Sequence, residues 1–498
     1  MTSRILHSLT NDKTYQQFPL PILEEIFSRE QVMQVFTETG RWERRERTLT
    51  HLFMVYLLIA WTVLPVQALK HVCAQLSNAR RWLSPHEPDR VPSASALCYR
   101  RKTLGVSPLR LLMRKACRPL CQPNTPGAFL FGRRLIAIDS KLFDVCESAD
   151  TDWTFRGRTR DDQPVRHSPF PQVRLVSALE IGSHAHVGAV LGPGYRPEMA
   201  MVQELLTFLP AHSLILQDSG FRGAWWLQRL EQQGHDSITR IQATDFPCPG
   251  PRLPDGSYLV QVRRSANTTL KDPLTLRIIE YRLDAQVAEP LSHMQGSRAR
   301  SGLRPGSAPD QVYRLATTLL DPLLAPVKQV AACYHDRWEL ELVYDELQEH
   351  HLSTPRLMSQ SSEGVLQEVW ALLLGHYAVR AWMMRATAED PDPLDVDRLS
   401  FTQALTVIGT ALTLSGPLAE GPTERWKTRL LADLRHQQPL LPPRRIRSYP
   451  RVIKTSLSRF CVKREKDVPF VCPDRSKRWS DVILPLHASQ HAPPSLLI

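Results

Sequence analysis

Two short aliphatic runs in this chain each end in an aspartate: Arg134-Leu-Ile-Ala-Ile-Asp139 and Ser213-Leu-Ile-Leu-Gln-Asp218. Runs of that length and composition form strands, too short for helices and too apolar for loops. Between them, residues 172–181 and 184–191 read as two further strands joined at Gly182, and 197–208 as a helix. Beyond Asp218, 223–233 is helical in pattern and 237–242 is another short strand. Three early strands followed by alternating helix and strand predict an α/β fold, a mixed sheet flanked by helices.

Residues 243–322 interrupt the alternation. Segments 258–264, 276–283 and 311–319 read as strands, with a Gly-, Ser-, Arg- and Pro-rich loop at 294–310. One long helix is expected over 326–350 and another over 363–385. The first hundred residues are helical in pattern, with a cap and N1 proline at Ser107-Pro108. Residues 52–66 are strongly apolar but fall short of the roughly 20 residues a membrane crossing needs, and Pro65 interrupts their end, so a core helix is expected. The division expected is 1–125 as a helical N-terminal domain, 126–390 as an α/β domain with 243–322 as a β-rich insertion, and 391–498 as a helical and basic tail.

Sixty-two Lys and Arg against 50 Asp and Glu leave a formal charge of +12, which favours a polyanionic partner. The basic tail from Arg444 through Lys454 to Arg464, interleaved with Tyr449 and Phe460, reads as a phosphate-binding strip or a solvated tail. The charged run 41–47 is read first as a solvated face. Nine scattered cysteines form no zinc-binding pattern and read as buried thiols of a reducing compartment, hence a cytoplasmic protein.

Asp139 and Asp218, at strand ends, would present hard oxygen donors of the kind Mg2+ prefers. The alternative is a pair of aspartates capping turns. Tyr334, Arg337, Glu341 and Gln348 are spaced by three, four and seven, which on a 3.6-residue helix puts them on one face. That face would combine a carboxylate with a guanidinium and a phenol, both able to hold phosphate. An Arg–Glu surface pair is the bland alternative. His350-His351 reads as a surface pair, and Tyr258, Tyr281 and Tyr313 as strand-core residues.

These residues resemble the DDE transposases of the insertion-sequence-four family, whose last catalytic helix carries Tyr-x2-Arg-x3-Glu-x6-Lys. Tyr334, Arg337 and Glu341 match three of the four positions. Ala137-Ile-Asp139-Ser, Phe170-Pro-Gln-Val-Arg-Leu175, Asp218-Ser-Gly-Phe221, Gly40-Arg-Trp-Glu-Arg-Arg, Pro92-Ser-Ala-Ser-Ala-Leu97 and Tyr449-Pro-Arg-Val-Ile-Lys454 follow in the family's order. The resemblance implies a ribonuclease H-like catalytic domain in which Asp139, Asp218 and Glu341 hold two Mg2+ (or Mn2+) ions. It also implies hydrolysis at the terminal inverted repeats, strand transfer into target DNA, a hairpin intermediate, and a homodimer on double-stranded DNA in a bacterial cytoplasm. Tyr334 and Arg337 would hold phosphates.

Three positions depart from the pattern: Gln348 replaces the lysine, Ser219 stands at a usual arginine with Arg222 three residues on as a substitute, and the stretch from Met358 lacks a frequent lysine. Two rival readings follow, a transposase-derived DNA-binding protein that no longer cuts and a metal-dependent nuclease that cuts without joining.

Overall fold

The computed structural model describes residues 20–43, 49–64, 68–83, 91–157, 170–246, 251–265, 268–283, 312–352, 354, 356–388, 394–418, 423–436, 440–441 and 483–485. The loop at 294–310 and the basic strip at 444–464 lie outside them. The chain forms two units, each visited more than once. The first comprises Met1–Phe129, Ile136–Pro210 and Glu339–Leu441; the second comprises Leu130–Leu135, Ala211–Trp338 and Pro442–Ile498.

The first unit opens with helices α1 (Arg29–Thr39), α2 (His51–Val63), α3 (Leu69–Leu83), α4 (Ala94–Leu104) and α5 (Ser107–Ala116). Ser28, Thr50 and Ser93 start α1, α2 and α4 by accepting a backbone N–H with their side chains. Pro108 lies in the first turn of α5 as expected, but Val106 rather than Ser107 takes the cap position. Almost every residue of α2 is buried, which explains an apolar run without polar relief. Among the described residues no helix is long and apolar enough to cross a membrane. Against α2 lies α9 (Ser362–Ala388), where Thr62 Oγ1 donates to Ala371 O at 3.4 Å and Gly375 leaves no room for a Cβ beside that hydroxyl.

The same unit contains, from Ile136 on, β1 (Arg133–Asp144) in an antiparallel meander with β2 (Gln172–Glu180) and β3 (Ala185–Pro193). The expected first strand was too short. Burial of β1 changes at Asp139, where the aliphatic run stops, yet pairing with β2 continues to Asp144 opposite Gln172. Asp139 therefore sits inside the strand, opposite Ser177, and not at its end. Hydrophobicity reports which residues are covered; backbone pairing runs on wherever a partner strand exists.

In the second unit β4 (Ser213–Gln217) and β5 (Asp236–Arg240) are parallel, with α6 (Ala224–Gln232) between them in sequence. Antiparallel strands extend this pair: β8 (Tyr313–Thr317) beside β5, then β7 (Thr268–Leu283), which also pairs β6 (Tyr258–Ser265) and β9 (Ile483–Pro485). Strand β7 begins at Thr268, ahead of the start expected at 276, and Pro273 lies within it; its pairing with β6 shifts register between Val262 and Arg264, an irregularity of the kind that admits a proline. Arg277 anchors this insertion, fully buried and donating to Ser257 Oγ at 2.8 Å and Ala325 O at 2.7 Å while pairing with Asp255.

The long helix expected over 326–350 is four pieces. α7 (Val327–His335) ends in a 3-10 turn, Asp336–Trp338; the chain then enters the first unit as α8 (Glu339–Asp345) and finishes in a π-helical turn, Glu346–His351. The protein is thus mixed α/β with a helical N-terminal region. A three-strand meander followed by strand–helix–strand is the element order expected from the sequence.

Candidate active site

In the first unit, Asp139 is half-buried on β1, and its Oδ1 accepts the Ser140 N–H at 2.7 Å. Ser140 Oγ donates to Glu198 Oε1 at 2.5 Å, and Arg174 Nη1 reaches both, at 3.1 and 2.6 Å. Arg174 belongs to the motif stretch 170–175, so a cation is held one residue from the first aspartate. Glu341 lies half-buried on α8. One turn further, the Tyr344 hydroxyl donates to the backbone O of Asp139 at 2.9 Å and sits 3.0 Å from Ser177 Oγ. Helix α8 is therefore fastened to the strand rung that carries Asp139. Sequence reading missed Tyr344, although its spacing of three from Glu341 was a usable signal.

Tyr344→Phe is expected to leave folding within about 1–2 kcal/mol of wild type, the worth of the lost hydrogen bonds. With Glu341 in the role the resemblance implies, loosening its helix should nevertheless slow single-turnover strand cleavage by about ten- to a hundredfold, with DNA-end binding intact. A cleavage rate unchanged in the variant would remove Tyr344 from any positioning role.

In the second unit, Asp218 follows β4 directly. Trp226 Nε1 donates to Gln217 Oε1 at 2.9 Å and Gln217 Nε2 to Thr239 Oγ1 at 2.8 Å, which locks the strand end. Asp218 Oδ1 accepts the Gly220 N–H at 2.8 Å and caps the 3-10 turn Ser219–Phe221. Capping and a carboxylate at a strand end coexist here, since the cap engages a single oxygen.

Tyr334 and Arg337 are both buried in this unit. Burial pushes the Tyr334 phenol up, with the Asp218 charge adding to the rise and Arg337 and Arg240 opposing it. The phenol therefore stays protonated, a donor near Asp218. His335 is pushed down to about 3 by burial and by the Arg240 and Arg337 cations, and its Nε2 shares a hydrogen bond with the Tyr281 hydroxyl at 3.1 Å. Tyr281 stacks on Tyr313, whose ring Arg240 covers at 5.2 Å. All three insertion tyrosines are core residues, as expected. Arg222 bends back on its own turn, with Nη1 donating to Ser219 O at 2.5 Å and Nε 3.0 Å from Asp245 Oδ2.

The single-face arithmetic for Tyr334, Arg337, Glu341 and Gln348 does not survive. A 3-10 turn overwinds the chain before Glu341 and the π turn underwinds it before Gln348, so a 3.6-residue period no longer relates the four. Tyr334 and Arg337 belong to the second unit, and Glu341 and Gln348 to the first. Sequence reading also mistook His351. His350 is exposed, but His351 is buried and its Nδ1 lies 2.8 Å from Thr62 O. Arg41 and Glu43, from the charged run, clamp the N-terminal helices through Thr103 and Arg100; residues 44–47 lie outside the described ones. Of the cysteines, Cys73, Cys117, Cys121 and Cys333 are buried and Cys98 is exposed.

His351 is pushed down to about 3, chiefly by burial and then by His376. An unfolded imidazole titrates near about 6.5, so below that pH the unfolded chain binds protons that the fold excludes. The stability these neutral imidazoles contribute is complete above about pH 6.5 and is lost as pH falls toward their folded values. Melting temperature should drop between about pH 8 and about pH 5, and less steeply in His351→Gln. Parallel slopes for the two proteins would contradict this.

Residues 17–114 match the insertion element 4 transposase N-terminal family, and residues 130–377 match the transposase DDE domain. The chain is 26% identical over 443 residues to transposase InsG for insertion sequence element IS4 of Escherichia coli (strain K12), covering 88% of this chain and 92% of that one. It is 25% identical over 140 residues to the putative transposase InsZ of the same organism, covering 28% of this chain and 46% of that one. A cryo-EM structure of a piggyBac transposase synaptic complex with hairpin DNA aligns over 84% of this chain and 86% of that chain, at TM-score 0.40 and 12% identity, too distant to inform this one. The DDE domain defines an enzyme that cleaves and transfers DNA strands, a class that works with divalent metal ions. The chain belongs to the insertion-sequence-four family of DDE transposases.

Proposed function

We propose that this transposase moves its own element by cut-and-paste, with Asp139, Asp218 and Glu341 as the ligands of two divalent ions, Mg2+ or Mn2+. The observation that carries the assignment is the Tyr344 hydroxyl on the Asp139 backbone, which ties the helix of the third carboxylate to the strand of the first. The three residues offer only carboxylate oxygens, a donor set suited to Mg2+ and Mn2+. Asp139 would serve both ions, with Asp218 and Glu341 completing one site each. When bound, such ions supply Lewis acidity at the attacking and leaving oxygens of phosphodiester exchange.

The remaining work falls to the chain's own side chains. Arg337 offers a charged fork and Tyr334 a protonated phenol, both donors for a phosphate oxygen beside the cut. Arg222 adds a further contact once it exchanges Asp245 for DNA. Burial of Tyr334 and Arg337 limits their rotamers, so strand position is set before chemistry. The partner is double-stranded DNA, the element's terminal inverted repeats and then the target, held by a homodimer in the cytoplasm of a bacterial cell. Residues 1–125 would engage the ends, 126–390 the chemistry and 391–498 the flanking phosphates.

Excision of a plasmid-borne element, flanked by its own ends, by purified protein in Mg2+ tests this reading. Excision with joining of the freed ends to target DNA supports it. Cleavage without joining favours a nuclease. Binding of ends without cleavage favours a DNA-binding descendant, the outcome Gln348 and Ser219 would explain.

A further inference from the structure

We infer that the first unit holds a second, structural cation site of mixed nitrogen and oxygen donors, formed by His184, Glu339 and Asp397 and best suited to Zn2+. The residues come from three elements. His184 stands in the turn between β2 and β3, Glu339 is the first residue of α8, and Asp397 lies in the 3-10 turn Val396–Arg398, where Asp395 Oδ1 accepts its N–H at 3.1 Å.

His184 Nε2 lies 3.1 Å from Glu339 Oε2 and 3.6 Å from Asp397 Oδ1, and the three donor atoms all fall within 4.8 Å of one another. Ligands at Zn2+ bond lengths around a tetrahedral ion stand about 3.3 Å apart, so the two spacings from His184, 3.1 and 3.6 Å, bracket that of a coordination shell. Chemistry points the same way. The His184 side chain is 4% exposed, and neither of its ring nitrogens makes a hydrogen bond among the described residues, although Nε2 is at contact distance from both carboxylates. Protonating His184 would set one positive charge between two negative ones, whereas a divalent ion accepts from all three donors and balances both carboxylates with the imidazole neutral.

An imidazole ligand separates this site from the all-carboxylate set of Asp139, Asp218 and Glu341. Imidazole suits Zn2+, and Mg2+ disfavours it. Three protein ligands leave one tetrahedral position for water. The ion would pin the β2–β3 turn, the residues beyond α9 and the first turn of α8 together, two residues before Glu341. It is a positioning device and touches no substrate.

The test uses full-length, tag-free Asp139→Asn protein, so that the carboxylate set is impaired, stripped with chelator and dialysed against Zn2+ in excess Mg2+. About one Zn2+ per chain should remain, raising the melting temperature, and His184→Gln in the same background should lose about tenfold or more in Zn2+ affinity. X-ray absorption of the loaded Asp139→Asn protein should show a single imidazole among oxygen ligands. Three results overturn the proposal: no retained Zn2+, Zn2+ retained equally after His184→Gln, or a bound ion without an imidazole. Should His184→Gln not fold, the absorption spectrum of the Asp139→Asn protein decides alone.

Discussion

Asp139→Asn, Asp218→Asn and Glu341→Gln are each expected to lower strand cleavage at the element ends by about a thousandfold or more, with end binding changed only a few-fold. Each substitution keeps the side chain's size and one carbonyl oxygen while removing the charge proposed to hold a divalent ion. Structure should therefore persist. An amide at position 218 can still accept the Gly220 N–H, and one at 139 can still accept that of Ser140. The Tyr344 bond goes to the Asp139 backbone and is untouched by the change. Single-turnover cleavage and a gel-shift titration on the same preparations separate the two effects. A variant that cuts at the wild-type rate would end that residue's role. Wild-type protein that binds ends and never cuts would shift attention to Gln348→Lys.

Glu346→Ala should cost about 3–5 kcal/mol of stability, the penalty for leaving one member of a buried ion pair behind. Glu346 lies in the π turn after α8, paired with Arg380 of α9 and 2.9 Å from His376 Nε2. Burial alone would raise its pKa, but Arg380 and His376 override that and hold it well below the usual carboxylate range. Truncation leaves the Arg380 guanidinium buried beside an emptied space. A double variant, Glu346→Leu with Arg380→Met, removes both charges and should recover most of the loss, as apolar replacements of buried pairs often do. Urea denaturation of the three proteins would show it; a Glu346→Ala loss under about 1 kcal/mol, as for an exposed pair, would refute the account.

The legible part of the site was its local chemistry. Asp218 follows its strand as read, because a five-residue buried strand and the turn after it are specified by adjacent side chains. Helix α2 was recognised as a core helix from its length and lack of charge, and the β2–β3 hairpin from two apolar runs around Gly182. Arg240 and His335 went unnoticed, and Arg174 was read only as part of a motif stretch with no role assigned. Arg174 gains its meaning from Ser140 and Glu198, and His335 from Tyr281.

By itself the sequence determined most of the strands and helices and the family, all written in short-range pattern, and it supplied the three carboxylates that the proposal uses. Tertiary structure decided that β1 continues past Asp139, because β2 supplies a partner for backbone groups whatever the side chains are. It decided that the segment from Tyr334 to Gln348 breaks into α, 3-10, α and π pieces. Side chains anchored elsewhere, Tyr344 to Asp139, Glu346 to Arg380 and His351 to Thr62, outweigh the small cost of rewinding a helix. A helical period can be read from spacing only while the helix answers to its own hydrogen bonds; here it answers to residues far away in the chain.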